Sequence, residues 1–304
     1  MESMILEALN KDKASIAKII SEIEKSNSLP YRKKLFNYLE SNSTHNMGFT
    51  IGITGTPGAG KSSLIGELVK IFLQEKKDLS LAIIAIDPSS TTSGGSILGD
   101  RTRIVLPVRE KRVFFRSQPS QLELGGLNPY TYPVLRFLRY IFDYVIVETV
   151  GIGQNEVAVS LISDLSMLVM QPLGGDQVQF MKSGIMEVPD LFVINKCDEE
   201  TLANASYHLL ESTLQFIEDL LPGVAKPPIL KTSVVKKIGI QELFDCITIQ
   251  RPFRDRDMEK RNQLEKWVMA EFGRKGLRYF RNLPEFSKQS SFEEIEEFLT
   301  TALS

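Results

Sequence analysis

The stretch "FTIGITGTPGAGKSSL", residues 49–64, decides how the rest of this chain is read. Its first six residues are nearly continuous in apolar and β-favouring types, as a strand covered on both faces must be. "GTPGAGKS" (55–62) then fits the pattern G-x-x-x-x-G-K-[ST] and runs into a helix-period stretch. That strand–loop–helix setting is what gives the pattern its meaning. Gly58 and Gly60 let backbone N–H groups turn inward, so Gly55, Thr56, Pro57, Gly58, Ala59 and Gly60 form a loop able to cradle phosphate oxygens. The N-terminus of the following helix adds the positive end of its dipole. Lys61 is expected to reach β- and γ-phosphates, the Ser62 hydroxyl to ligate Mg²⁺, and Ser63 to donate to an α-phosphate.

Outward from this loop the chain alternates short apolar runs with helix-period segments. The runs are "LAIIAI" (81–86), "RVFF" (112–115), "YVIVET" (144–149), "LSMLVMQ" (165–171), "LFVIN" (191–195) and "PILKTS" (228–233), with helices expected over 61–75 and 201–221. The pattern predicts an α/β fold, a mostly parallel sheet flanked by crossover helices. Before it, Ile16, Ile19, Ile20 and Ile23 make the stripe of an amphipathic helix over 12–25. Pro30 punctuates, "YRKKLFNYLES" reads as a second helix, and polar "NSTHN" ends the section near residue 46. From about residue 251 the chain becomes charged, with Leu264, Trp267, Val268 and Phe272 on one helical face. Ser290 and Glu293 stand at capping-box spacing before the last helix. The expected organisation is therefore an N-terminal helical extension (1–46), a phosphate-loop domain (47–250) and a C-terminal helical arm (251–304).

The base is suggested by "NKCD", 195–198, at the end of the sixth strand. Asp198 can accept from both N1–H and the exocyclic amine of guanine. Adenine offers neither donor and would leave a buried carboxylate unpaired, which discriminates strongly. The stem of Lys196 can cover the base plane, and Asn195 can tie this loop to the phosphate loop. Ser233 and Val234, after "PILKT", are nominated for a second base-contacting turn; an ordinary turn role for Ser233 is weighed equally.

Three acids are expected on the same edge of the sheet, where such folds bind ligands. In "AIDPSS" a strand ends on Asp87, Asp100 sits with Arg101 in the Gly/Ser-rich "GGSILGDRTR", and Glu148 ends "VIVE". One or more would hold Mg²⁺ directly or through its waters. Asp87, Asp100, Glu148 and Lys61 are the catalytic candidates, and Gly151 would offer its amide to a γ-phosphate as part of a switch. Ile152 occupies the position where many such switches carry a water-orienting Gln. Gln154, Asn155 or Glu156 could substitute only if the loop refolds, so weak intrinsic hydrolysis is expected.

Composition narrows the partners. Of 304 residues, 36 are basic and 38 acidic, a formal charge of −2 that provides no field for nucleic acid. Cys197 and Cys246 are the only cysteines, and His45 and His208 the only histidines, with no metal-ligand spacing among them. They read as ordinary thiols of a reducing compartment. The N-terminus lacks the basic-then-apolar order of a signal peptide, and no apolar run reaches membrane-spanning length. A soluble, cytoplasmic protein is expected.

Taken in order, "GITGTPGAGKSSL", "AIDPSS", "GGSILGDRTR", "LGGL", "VIVETVGIGQNE", "MEVPDLFVINKCD" and "KRNQLEKWV" resemble the MeaB/ArgK GTPases, relatives of the methylmalonic aciduria type A protein. The resemblance spans almost the whole chain, both helical extensions included. It implies a homodimeric P-loop NTPase of the SIMIBI class that uses GTP, GDP and Mg²⁺. It implies further a chaperone for adenosylcobalamin-dependent acyl-CoA mutases, chiefly methylmalonyl-CoA mutase, assisting cofactor loading, protection or rescue. Lys61 and Ser62 match its phosphate loop; Asp87, Asp100 and Glu148 its metal and catalytic acids; Asn195, Lys196 and Asp198 its guanine site. The helix around Trp267 matches its dimerisation arm. The third switch departs from the family pattern. In "LGGDQVQFMKSG" (173–184) Asp176, Gln179 and Lys182 are kept, but Gln177, Phe180 and Ser183 replace the usual acid, Gly and Lys. After "LGG" comes "LNPYTYPVLRFLRY" in place of the usual polar and basic residues.

Other classes fit less well. A kinase needs an acceptor pocket and a base, neither of which is evident, and "NKCD" opposes ATP. A nickel-insertion GTPase usually brings Cys/His clusters. A protein holding GTP only as a structural ligand would not need intact phosphate-loop and metal residues, although the altered third switch keeps that reading open.

Overall fold

The computed structural model describes residues 1–42, 47–87, 110–120, 130–149, 159–160, 162–172, 189–220, 226–249, 256–282 and 291–303. Seven strands form one sheet: β1 (Phe49–Gly55), β2 (Leu81–Asp87), β3 (Val113–Pro119), β4 (Tyr144–Glu148), β5 (Leu165–Met170), β6 (Leu191–Ile194) and β7 (Ile229–Lys231). Their spatial order is β3-β2-β4-β1-β5-β6-β7, and every pairing is parallel. All seven expected runs are strands. The largest displacement is β3, which begins one residue later than "RVFF" and continues four residues beyond it to Pro119.

Among the described residues there are nine helices: α1 (Glu2–Leu9), α2 (Lys13–Ile23), α3 (Leu29–Asn42), α4 (Lys61–Glu75), α5 (Thr131–Arg139), α6 (Glu200–Leu220), α7 (Ile240–Ile249), α8 (Arg256–Arg281) and α9 (Phe292–Leu303). Alternation along the strands sorts them into two layers. Ile51, Ile53, Ile83, Ile146, Met167 and Val169 face one side, against Leu64, Leu68 and Phe72 of α4 and Leu243 and Phe244 of α7. On the other side, Ala82, Ile84, Val145 and Val147 meet the four isoleucines of α2, Phe36 of α3, and Phe137 and Leu138 of α5. Leu168, Met170, Phe192 and Ile194 meet Ala203, Leu210 and Leu214 of α6. The N-terminal helices are thus packed straight onto the sheet.

The opposite end of the sheet from the phosphate loop is closed by three aspartates, each one residue before a strand. Asp143 accepts from the Ser80 amide and hydroxyl, Asp164 from the Thr50 amide, and Asp190 from the Ser166 amide and hydroxyl, all at 2.7–2.8 Å. Each carboxylate satisfies an amide at the foot of the neighbouring strand, where the ladder has not yet begun. Arg139 stands over Asp164 at 3.2 Å and neutralises it in a buried pair.

Two expectations are corrected. Pro30 does not precede a helix but lies in the first turn of α3, where a missing N–H removes no bond. The capping box of α9 falls one residue later than read. The Ser291 amide donates to Glu294 at 2.9 Å and the Glu294 amide donates to the Ser291 hydroxyl at 3.2 Å. Glu293 is instead fully buried and accepts from Arg136 of α5 at 2.8 Å. Burial alone would push the Arg136 guanidinium down, but Glu293 beside it outweighs that and keeps it charged. Part of the apolar face of α8 also packs within its own chain. Leu264 and Val268 pack with Phe280, Phe292, Ile295 and Leu299, and Tyr132 of α5 lies against the cluster. For Trp267 only the backbone is described.

The two ends of the chain are bolted together. Arg32 of α3 makes a bidentate pair with Glu296 of α9, both bonds 2.7 Å, with side-chain exposures of 6% and 10%. Arg32→Ala is expected to cost about 3 kcal/mol, because it leaves a carboxylate buried without its cation. Urea denaturation of the full chain measures this, and Arg32→Met combined with Glu296→Leu should recover most of the loss. A single-variant loss below about 1 kcal/mol, the level of a surface pair, would contradict the reading.

Candidate nucleotide site

Because every strand runs the same way, their C-terminal ends lie on one edge, and β1 occupies the point where successive connections leave toward opposite sides. That is where open α/β sheets take ligands. Gly55, Asp87 and Glu148 end their strands here, and Asn195 and Thr232 immediately follow β6 and β7. Ile53 and Ala85 flank Glu148 in register, so the acid lies beside the strand that feeds the phosphate loop.

The loop is shaped by glycines that no other residue replaces. Gly55 has φ +137°, and a Cβ there would lie 1.8 Å from the Val169 carbonyl oxygen. Gly60, the N-cap of α4, has φ +85°, and its Cβ would lie 2.6 Å from Asn195 Nδ2. Both conformations belong to the left-handed half of the map that favours glycine. The Lys61 ammonium, on the first residue of α4, donates to the Gly55 and Thr56 carbonyls at 2.9 and 3.1 Å. It is thereby held over the loop it is expected to serve. The Thr56 hydroxyl is buried with no hydrogen-bond partner among the described residues.

Ser62, one residue on, donates to Glu148 Oε1 at 2.7 Å. A hydroxyl and a carboxylate oxygen in contact at the mouth of a phosphate loop are two hard oxygen donors, the set Mg²⁺ favours. These residues therefore fit the metal. Behind them Thr149 donates to the Thr54 hydroxyl at 3.1 Å, locking the end of β4 to β1. Asp87 reaches the same edge, two residues past the register partner of Glu148, but only its backbone is described. Asp100, Gly151, residues 152–156 and the third switch at 173–184 lie outside the described residues.

The "NKCD" turn is tied to the phosphate loop as expected. Asn195 is 1% exposed and donates to the Ala59 carbonyl at 2.7 Å, while its own oxygen accepts from Thr232 at 3.0 Å. Thr232 is thus part of the constellation, a residue the sequence reading passed over although it stands between two nominated segments. Lys196 takes φ +61°, and its Cε would lie 3.9 Å from a Cβ on Gly60, so its stem runs beside the loop. Asp198 is exposed rather than buried. Its carboxylate accepts from Ser233 at 2.5 Å, and Ser233 in turn accepts from the Lys236 amide at 2.9 Å. Ser233 is a turn former whose hydroxyl also holds the Asp198 carboxylate. Val234 packs its side chain against the core beneath α4. Cys197, between Lys196 and Asp198, donates to the Ile194 carbonyl, and burial pushes its thiol up, keeping it protonated and unreactive.

An all-parallel sheet with a lysine-bearing glycine loop at its switch point, a hydroxyl–carboxylate pair beside it and an Asn–Lys–x–Asp turn across from it defines a P-loop GTPase. Residues 16–274 match the model of the family described as "Methylmalonyl Co-A mutase-associated GTPase MeaB". The chain belongs to the MeaB family. It is 39% identical over 200 residues to the GTPase ArgK of Escherichia coli, covering 65% of this chain and 60% of that protein. It is 34% identical over 229 residues to the mitochondrial methylmalonic aciduria type A homolog of Caenorhabditis elegans, covering 73% and 57%. Among solved structures, one described as an LAO/AO transport system kinase superposes with a TM-score of 0.63 at 23% identity, over 100% of this chain and 87% of that one. That last likeness is one of fold. No helix among the described residues is long and apolar enough to cross a membrane.

Proposed function

We propose that this GTPase is a Mg²⁺-dependent chaperone of an adenosylcobalamin-dependent acyl-CoA mutase, with methylmalonyl-CoA mutase as the first candidate client. Membership of a family described by its association with that mutase carries the proposal. In this reading Gly55 to Ser63 hold the phosphates, and Asn195, Lys196, Asp198, Ser233 and Val234 hold guanine. Ser62 and Glu148, with Asp87 and Asp100, would hold Mg²⁺, which when bound neutralises charge on the β- and γ-phosphates. Lys61 supplies the remaining positive charge. Ile152 stands where many such switches carry a water-orienting Gln and cannot act as one, so intrinsic hydrolysis is slow. GTP orders the loops carrying Asp100, Gly151 and Asp176; that surface engages the client, and hydrolysis releases it. The chain acts as a homodimer in the cytoplasm.

The test is retention of purified methylmalonyl-CoA mutase, or of a mutase of the same cofactor class from the source cell, on immobilised protein loaded with GTP or GDP. Retention and mutase reactivation that depend on which nucleotide is bound are expected, and Lys61→Ala should remove that dependence. Equal behaviour of the GTP-loaded, GDP-loaded and Lys61→Ala proteins would sink the proposal.

A further inference from the structure

The turn that follows β7 is built to a plan that the base contacts alone do not explain. Ser233 and Ile238 close it with two backbone hydrogen bonds, 2.9 and 3.1 Å. From inside it, Ser233 holds the Asp198 carboxylate and the Lys236 ammonium donates to the Asp198 carbonyl. Val234 packs against the core at the start of the turn, but beyond it apolar burial does not hold the tip, where Val235 is 81% exposed and Ile238 49%. The tip is held by charge. Lys237 adopts φ +57°, a conformation L-residues take reluctantly, and extends to Glu67 on the second turn of α4. Glu67 is only 15% exposed and also accepts from Lys70 at 2.8 Å. Burial pushes its carboxyl up, but the bonds from Lys237 and Lys70 outweigh that and hold it below the ordinary carboxylate range. Farther along, Gln241 of α7 donates to Glu75 at the other end of α4 at 2.8 Å.

We infer that Glu67 and Lys237 are positioning residues, a latch that fixes the guanine-contacting turn against the phosphate-loop helix and so sets guanine-nucleotide affinity without touching the nucleotide. The helix that begins at Lys61 and Ser62 carries Glu67, and the turn that orients Asp198 carries Lys237. Base-holding and phosphate-holding groups therefore share one frame through this pair. The inference rests on the reading of Asp198 and Ser233 as the base site.

The experiment is calorimetric titration of the full chain with GDP and ADP, together with GTP turnover and melting temperature. It compares wild type, Glu67→Gln, Lys237→Met and the double variant. A wild type that fails to prefer GDP over ADP overturns the base-site reading and, with it, the basis of the latch. Given that preference, each single variant should weaken GDP by about two- to fivefold, the size of one lysine–carboxylate pair that keeps partial solvent contact. The double variant should be no weaker than either single one, because one interaction is lost only once. Turnover at saturating GTP should stay within about twofold of wild type, since the pair sets binding rather than the chemical step. High salt should bring wild type toward the variants. Unchanged GDP affinity in both single variants, even with a lower melting temperature, overturns the latch, and so do losses that simply add in the double variant.

Discussion

Asp198→Asn should weaken GTP by about 10³-fold, because one hydrogen bond to a charged acceptor, worth about 1.5–3 kcal/mol, is lost and the other falls to the weaker neutral kind. The same change should create affinity for xanthosine triphosphate. Xanthine keeps N1–H but carries a carbonyl where guanine has its amine. In the structure one Asp198 oxygen is already pinned by the Ser233 hydroxyl. An asparagine at 198 would keep its oxygen on Ser233 and N1–H, turning its amide N–H₂ toward the position of the second contact. That group repels the guanine amine and suits the xanthine carbonyl. Fluorescence titration with both nucleotides measures the exchange, and GTP affinity unchanged in Asp198→Asn would mean that the carboxylate does not face the base.

Lys61→Ala should lower single-turnover GTP hydrolysis by about 10²–10³-fold, the usual consequence of removing one preorganised group from developing charge. The ammonium currently donates to the Gly55 and Thr56 carbonyls, so it lies within the loop and needs only exchange those acceptors for phosphate oxygens. The fold should survive. β1 and α4 are held by Ile51, Ile53, Leu64, Ile65 and Leu68 in the core, which the substitution leaves intact. A circular dichroism melt establishes that. Hydrolysis within about tenfold of wild type would show that another cation serves the phosphates.

What the sequence made legible follows from how local the physics is. The phosphate loop and the strand before it are specified within sixteen residues, since glycine conformations and an adjoining helix start are enough to build them. The "NKCD" turn needed only its place at the end of a strand. Where two local solutions competed, tertiary contacts decided. "QSSFEEIEE" offers a capping box in either of two registers, and Arg136 selects one by drawing Glu293 into the interior. That choice depends on a helix more than 150 residues away in sequence, 157 by the pair's spacing, and no window on the sequence could contain it. The short helix α1 carries only Ile5 and Ala8 as its buried side, too few to show a period. Helix α5 begins inside "LNPYTYPVLRFLRY", where Pro133 sits in the first turn. Its buried Val134, Leu135, Phe137 and Leu138 give that departure from the family pattern a packing role against α2 and α3. Glu67 and Lys237 were equally invisible, since they pair across 170 residues of sequence, whereas Thr232, next to nominated Ser233, was within reach.

The pairing of Arg32 with Glu296 joins positions 264 residues apart. During synthesis the N-terminal helices leave the ribosome first, and their isoleucines can find β2 and β4 as soon as those strands exist. The guanidinium on α3 cannot be neutralised in its final place until nearly the last helix has emerged. The N-terminal face must therefore stay hydrated at that spot, or be held by a helper, through almost the whole of translation. A chain truncated before residue 296 would keep that waiting state permanently, with the Arg32 guanidinium hydrated and unpaired with Glu296 at an otherwise finished surface.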